Sequence, residues 1–168
     1  MPVPEFIRDL RSTIGHAPLW LPGVTGVVTD DAGRVLLTQR SDTGRWALPS
    51  GIPEPGEQLA VALAREVLEE TGVEVVVDQL VSLWTQPPLT YPNGDVCQFV
   101  DHTFACRAVG GEAHVADDES LDVVWCDPAR LPDLVGVQAQ LVARALAGGD
   151  RGPGSPGPTA STPLIGLA

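Results

Sequence analysis

Leu59, Leu63 and Val67 recur every fourth residue, with Ala60, Ala62 and Ala64 between them, so the stretch from Gln58 to Thr71 predicts a helix with one apolar stripe. Gly72 follows the last periodic turn and can take the left-handed conformation that closes a helix, and β-branched Val73 then opens a strand. Leu134, Val137, Leu141, Val142 and Ala145 form a second apolar stripe, which predicts a helix from Asp133 to Ala147. A shorter helix is expected over Pro4 to Ile14. Alternation and β-branching predict strands at Val24–Thr29, Val35–Arg40, Val73–Trp84, Val96–Arg107 and Leu121–Cys126. Helices on both faces of one mixed sheet give an α/β protein, an α/β/α sandwich.

The polar side of the first periodic segment is the unusual one. Glu66, Glu69 and Glu70 stand at i, i+3 and i+4, so their carboxylates emerge on one helical face. Like charges at that spacing cost about 0.2–0.5 kcal/mol per pair. Anions near a helix C-terminus also oppose its dipole, by about 0.3–1 kcal/mol. A cation that offsets both terms is expected, and hard oxygen ligands in a tight group suit Mg²⁺ or Mn²⁺ held together with water and phosphate oxygens. A solvated acidic surface is the ordinary explanation of a charge run. Here it is outweighed, because the acids come with Gly51, Glu57, Arg65 and Gly72 at fixed intervals. Glu57 lies in a loop shaped by Pro53, Pro55 and Gly56, from which it can reach Arg65 or a metal shell.

Gly51, Glu57 and the run Arg65–Val73 resemble the Nudix box at each specified position, including the aliphatic slots held by Val67 and Val73. The flanks Arg34–Arg40, Trp46–Ser50 and Leu121–Cys126 are similar to the strands around that box, so the resemblance covers residues 20–146. Ser50 is a departure, since many relatives carry glycine there. The resemblance implies the Nudix fold and Mg²⁺- or Mn²⁺-dependent hydrolysis of a nucleoside diphosphate linked to another group. Carried over residue by residue, Glu66, Glu69 and Glu70 would ligate metal, Gly51 would offer its carbonyl, and Arg65 would orient Glu57 through a salt bridge. Bound metals would neutralise developing charge and lower the pKa of an attacking water. The general base is left between a box carboxylate, Glu69 or Glu66, and an acid of the loop Ala116–Ser120, of which Glu119 is preferred for its place beside the closing strand.

Composition narrows the partners. The chain has 168 residues, 43% of them hydrophobic, which is one domain's worth with enough apolar material for a core. A net charge of −12 opposes broad polyanion binding, so duplex nucleic acid is not expected as substrate, whereas a small nucleotide escorted by metal is compatible. No apolar run long enough to span a membrane occurs and the N-terminal segment lacks the order of a signal peptide, so a cytoplasmic protein is expected. Cys97, Cys106 and Cys126 lack CxxC spacing and fall in strand-like segments, as buried reduced thiols do. His102 alternates with Val100 and Phe104 as an ordinary strand histidine, and His16 and His114 show no ligand spacing. Residues 1–147 are expected as one domain, and the Gly/Pro-rich residues 148–168 as a mobile tail.

Substrate choice is expected in the proline-rich segment Trp84–Asp95. Pro88 meets a positional rule that the resemblance links to ADP-ribose, and Tyr91 meets the one for dinucleoside polyphosphates, so the rule does not decide. Arg40 and Arg45 are candidate phosphate contacts because a guanidinium forks onto phosphate oxygens; a surface ion pair is the alternative. Tyr91, Trp46 and Trp84 are candidate stacking groups, although strand tryptophans are more often core. The favoured activity is cleavage of an ADP-ribose-like nucleoside diphosphate derivative. The alternatives are a nucleoside triphosphate pyrophosphatase that clears damaged nucleotides, and a non-catalytic Nudix-like nucleotide sensor, against which the intact acids argue. The resemblance also allows a homodimer.

Overall fold

The structure is a computed structural model that describes residues 4–91 and 93–148. The expected tail from residue 149 onward lies outside the described residues. The elements run in the order α1 (Glu5–Ile14), β1 (Leu19–Thr29), β2 (Val35–Arg40), β3 (Trp46–Ala47), β4 (Ser50–Gly51), α2 (Leu59–Thr71), β5 (Val73–Thr85), β6 (Leu89–Thr90), β7 (Val96–Gly111), β8 (Ser120–Cys126), and α3 (Gln138–Gly148).

All strands join one sheet with the central order β3-β2-β1-β7-β5, to which β4 adds on β1, β6 on β7 and β8 on β2. The β1–β7 pair is parallel and the others are antiparallel, so the sheet is mixed as the sequence predicts. Alternation along β1 and β7 sends even-numbered side chains one way and odd-numbered ones the other. Val24, Val28, Phe104 and Cys106 pack with Ala62, Leu63 and Val67 of α2. Val27 and Ala105 pack on the opposite face with Leu141, Val142 and Ala145 of α3. Helix α1 lays Ile7 and Phe6 on that second face, over Leu21, Cys97, Phe99 and Tyr91. The result is the α/β/α sandwich.

The last helix departs from its sequence pattern. The periodicity predicts a start at Asp133, yet α3 begins at Gln138. Leu134 forms a parallel bridge to Trp46, Val135 N–H donates to the Trp46 carbonyl at 3.2 Å, and Gly136 has φ 56°. The backbone donors of this segment go to β3 instead of a helical turn, while Leu134 and Val137 still face the core. Strands β1 and β7 are also longer than predicted, because their parallel register runs unbroken from Leu19↔Cys97 to Thr29↔Arg107.

Strand β5 closes one side of the sheet and pairs, among the described residues, only with β7. Its register shifts at Glu74/Val75, Val77/Gln79 and Leu80/Ser82.

Gly72 ends α2 as expected, with φ 70° and its N–H on the Leu68 carbonyl. A second constraint acts there: a Cβ at this position would lie 2.2 Å from His114 Cε1. Substitution Gly72→Ala therefore combines an unfavourable φ with a steric overlap, and is expected to lower unfolding free energy by about 1–3 kcal/mol in urea denaturation. An unchanged midpoint would refute that expectation.

Candidate active site

Strand β4 places Gly51 beside α2 because Val24↔Gly51 and Thr25↔Ser50 pair it to the centre of the sheet. A Cβ on Gly51 would fall 2.2 Å from Glu66 Cδ, so only glycine lets the strand and the Glu66 carboxylate meet. Glu66 is 1% exposed. One of its oxygens accepts from Arg65 Nη1 at 3.0 Å, and the other, Oε2, is buried without a hydrogen-bond partner.

Arg65 spends its whole guanidinium on this site. Nε and Nη2 fork onto Glu57 at 3.0 and 2.9 Å, and Nη1 reaches Glu66 and Glu69 at 3.0 and 3.1 Å. Glu57 in turn caps its own loop, accepting the Glu54 N–H and donating its backbone N–H to the Glu54 carbonyl. The fork holds Glu57 below the usual carboxylate range, and the Glu57 bond raises the pKa of Arg65. The ion pair expected between Arg65 and Glu57 is therefore present and bidentate.

The helical acids are not equivalent. Burial pushes Glu66 up to about 7 against the pull of Arg65. Burial, reinforced by the charges of Glu66 and Asp117, pushes Glu70 up to about 8. Glu69, in contrast, is exposed and bound by Arg65. Among the described residues no three His, Cys, Asp or Glu side chains converge closely enough to hold an ion as they stand. Arg65 Nη1 bridges Glu66 and Glu69, so the guanidinium stands among the helical acids, and the i+4 spacing lets it take both Glu69 and Glu57.

The donor set nevertheless fits a hard divalent cation. An orphaned buried Glu66 Oε2, a second desolvated acid at Glu70 and a glycine that admits the strand form a site with more carboxylate oxygen than Arg65 satisfies. A pH test follows. Raised carboxyl pKa values add stability below the unfolded value and remove it as pH rises through the folded one. In chelator, the melting temperature is expected to fall as pH rises through 7 and 8, the values of Glu66 and Glu70, and saturating Mg²⁺ should flatten that slope. A chelated protein whose melting temperature is flat across that window would contradict it.

Arg40 forks onto Asp42 at 2.9 and 2.6 Å, and this bond raises its pKa. Its charge interacts with those of Tyr91 and Glu70. Tyr91 packs at the α1 cluster, where burial raises its phenol. The structure thus puts Arg40 within electrostatic reach of Glu70. It does not bring Arg45 or Trp46 there: Arg45 donates to the Leu134 carbonyl, and Trp46 packs against the α3 cluster.

Glu119 is joined by its backbone to the residue after β2, its carbonyl accepting the Ser41 N–H at 2.7 Å. Asp117, a member of the expected loop though not its preferred acid, has a charge that reaches Glu70. Asp117 Oδ1 accepts from the N–H groups of Glu119 and Ser120. A short acid capping the residues two and three ahead was the signal available for it. The loop is pinned to α2 by His114 N–H on the Thr71 carbonyl and Ala116 N–H on the Glu70 carbonyl. His102 donates from Nδ1 to the Gly23 carbonyl, a structural role as expected. All three cysteines are free; Cys97 and Cys106 are buried, whereas Cys126 is half-buried at the end of β8, where the sheet leaves it partly open.

The mixed sheet between helices thus carries a buried glutamate on a glycine and an arginine clamp across the adjoining loop. The chain belongs to the Nudix hydrolases, enzymes acting on phosphorus-containing anhydrides: the family model described as NUDIX domain matches residues 19–145. The chain is 36% identical over 111 residues to a MutT-like protein of Streptomyces ambofaciens, covering 66% of each chain. It is 33% identical over 114 residues to an ADP-ribose pyrophosphatase of Methanocaldococcus jannaschii, covering 66% of this chain and 64% of that one. It therefore spans about two thirds of the length of these relatives. A solved MutT protein of Methanosarcina mazei has the same fold, with a TM-score of 0.64 at 20% identity over 80% of this chain and 99% of the other. No helix among the described residues is long and apolar enough to cross a membrane.

Proposed function

We propose that this protein cleaves the pyrophosphate linkage of a small nucleoside diphosphate derivative of the ADP-ribose kind, with Mg²⁺ or Mn²⁺. The observation that carries the reading is the buried Glu66 carboxylate packed against Gly51, with Oε2 unpartnered and Oε1 held by an arginine already committed to Glu57. Glu66 and Glu70, with the Gly51 carbonyl, would hold the ion, and Glu69 would join when it leaves Arg65. The ion would supply charge neutralisation at the anhydride oxygens and an acidified water. The chain's own residues then set the rest. Arg65 and Glu57 fix the loop, Arg40 offers a guanidinium to phosphate beside Glu70, and Tyr91 offers an aromatic face. A raised carboxyl, Glu66 or Glu70, or one of the loop acids Asp117 and Glu119 serves as proton acceptor.

The supply of cations favours a diphosphate over a triphosphate. The chain has no lysine, Arg65 is consumed by three acids, and Arg40 is shared with Asp42. Little positive charge is left at the site for additional phosphates. The name of the Methanocaldococcus jannaschii relative points the same way. The test is incubation with Mg²⁺ and ADP-ribose or nucleoside triphosphates, followed by product identification. AMP with ribose phosphate supports the reading; a monophosphate with pyrophosphate, from triphosphates alone, overturns it.

A further inference from the structure

His114 has no part in the reaction as described, yet its side chain sits where the helix of acids ends. A Cβ on Gly72 would fall 2.2 Å from His114 Cε1 and 2.5 Å from Nδ1, so the imidazole lies against the glycine that closes α2. Nδ1 meets the Glu112 carbonyl at 2.7 Å. A carbonyl only accepts, so Nδ1 carries the proton and the ring is fixed in that seat. A helix end in the left-handed region admits asparagine as well as glycine. Here the ring leaves room for glycine alone.

Further contacts step down the last turn of α2. Gly111, which ends β7, comes so close that a Cβ on it would lie 2.1 Å from the Gly72 carbonyl oxygen. His114 N–H donates to the Thr71 carbonyl at 3.0 Å, and Ala116 N–H to the Glu70 carbonyl at 3.3 Å. Last-turn carbonyls have no partner within their own helix, so this loop supplies the cap that α2 lacks. Thr71, fully buried, braces the turn from inside: its hydroxyl donates to the Val67 carbonyl and accepts the Val73 N–H. The Ala116 bond is long for an N–H on a carbonyl. The register of the next residues therefore leans on the seated ring. Those residues are the loop acids: Asp117, whose charge reaches Glu70 and whose carboxylate takes the N–H groups of Glu119 and Ser120, and then Glu119 itself.

We infer that His114 is a positioning residue for the hydrolysis: bonded to Glu112 and seated on Gly72, its ring holds the acid-bearing loop in register with α2 and so directs Asp117 toward Glu70. The inference rests on the proposed function, in which Glu70 helps to hold the ion and a loop acid can take the proton.

The experiment compares His114→Ala with His114→Asn, whose amide places an N–H donor where Nδ1 stands. With Mg²⁺ and ADP-ribose, the alanine variant is expected to lose about tenfold in kcat while KM stays within about twofold, the pattern of a site that is misplaced rather than broken. The asparagine variant should recover most of that loss. Mn²⁺ titrated without substrate should bind about tenfold more weakly to the alanine variant and near wild-type strength to the asparagine one. Turnover of His114→Ala within about twofold of wild type, or equal losses in the two variants, overturns the inference. Since loss of the ring could loosen the whole fold, amide hydrogen exchange is read alongside. Faster exchange confined to residues 112–120 supports the inference, and acceleration spread over β1 and β7 makes His114 purely structural and overturns it. Should the wild-type protein leave ADP-ribose intact, the proposed reaction falls, while Mn²⁺ binding and exchange still decide whether His114 sets the loop.

Discussion

Glu66→Gln is expected to lower kcat by about 10²–10⁴-fold, the range seen when a charge-stabilising or proton-transferring group is lost. The substitution keeps the shape and the bond that Arg65 makes, but replaces a buried oxygen that lacks a partner with an amide or a neutral carbonyl. Burial outweighs the pull of Arg65 on Glu66, and Arg65 keeps Glu57 and Glu69 as partners, so neutralising Glu66 should leave the metal-free protein at least as stable as before. Activity and stability thus move in opposite directions, which a simple folding defect cannot produce. Steady-state rates with Mg²⁺ and melting curves in chelator check both halves. A variant that keeps wild-type turnover would remove Glu66 from the reaction.

Gly51→Ala carries the second large effect. The added methyl would overlap Glu66 Cδ and Cγ at 2.2 and 2.4 Å, and both groups are fixed, one by β-pairing and the other by Arg65. Overpacking of this kind costs about 1–3 kcal/mol, and displacement of Glu66 should abolish most turnover. The double variant Gly51→Ala with Glu66→Ala removes the colliding atoms, so stability is expected to return while activity does not. Two losses that simply add would mean the methyl collides with something other than Glu66.

Much of this architecture was legible in the sequence because local and global signals agree there. The stripe Leu59, Leu63, Val67 and the stop at Gly72 fixed α2 within a residue, since helical period, cap and core all demand the same span. The start of α3 was not legible, because Leu134 and Val137 keep a helical spacing while β3 takes the backbone hydrogen bonds. Spacing likewise placed the Arg65–Glu57 pair correctly. It could not show that the same guanidinium would also bridge Glu66 and Glu69, since side-chain competition depends on three-dimensional reach. Asp117 lay within the expected loop, but an acid in a run of acids is singled out only when its neighbours in space are known.

Repeated slips in the pairing of β5 have a consequence for handling the protein. The outer margin of that strand offers no even ladder of amide groups long enough for a neighbour's strand to copy. Concentrated solutions should therefore resist ribbon-like growth along that margin.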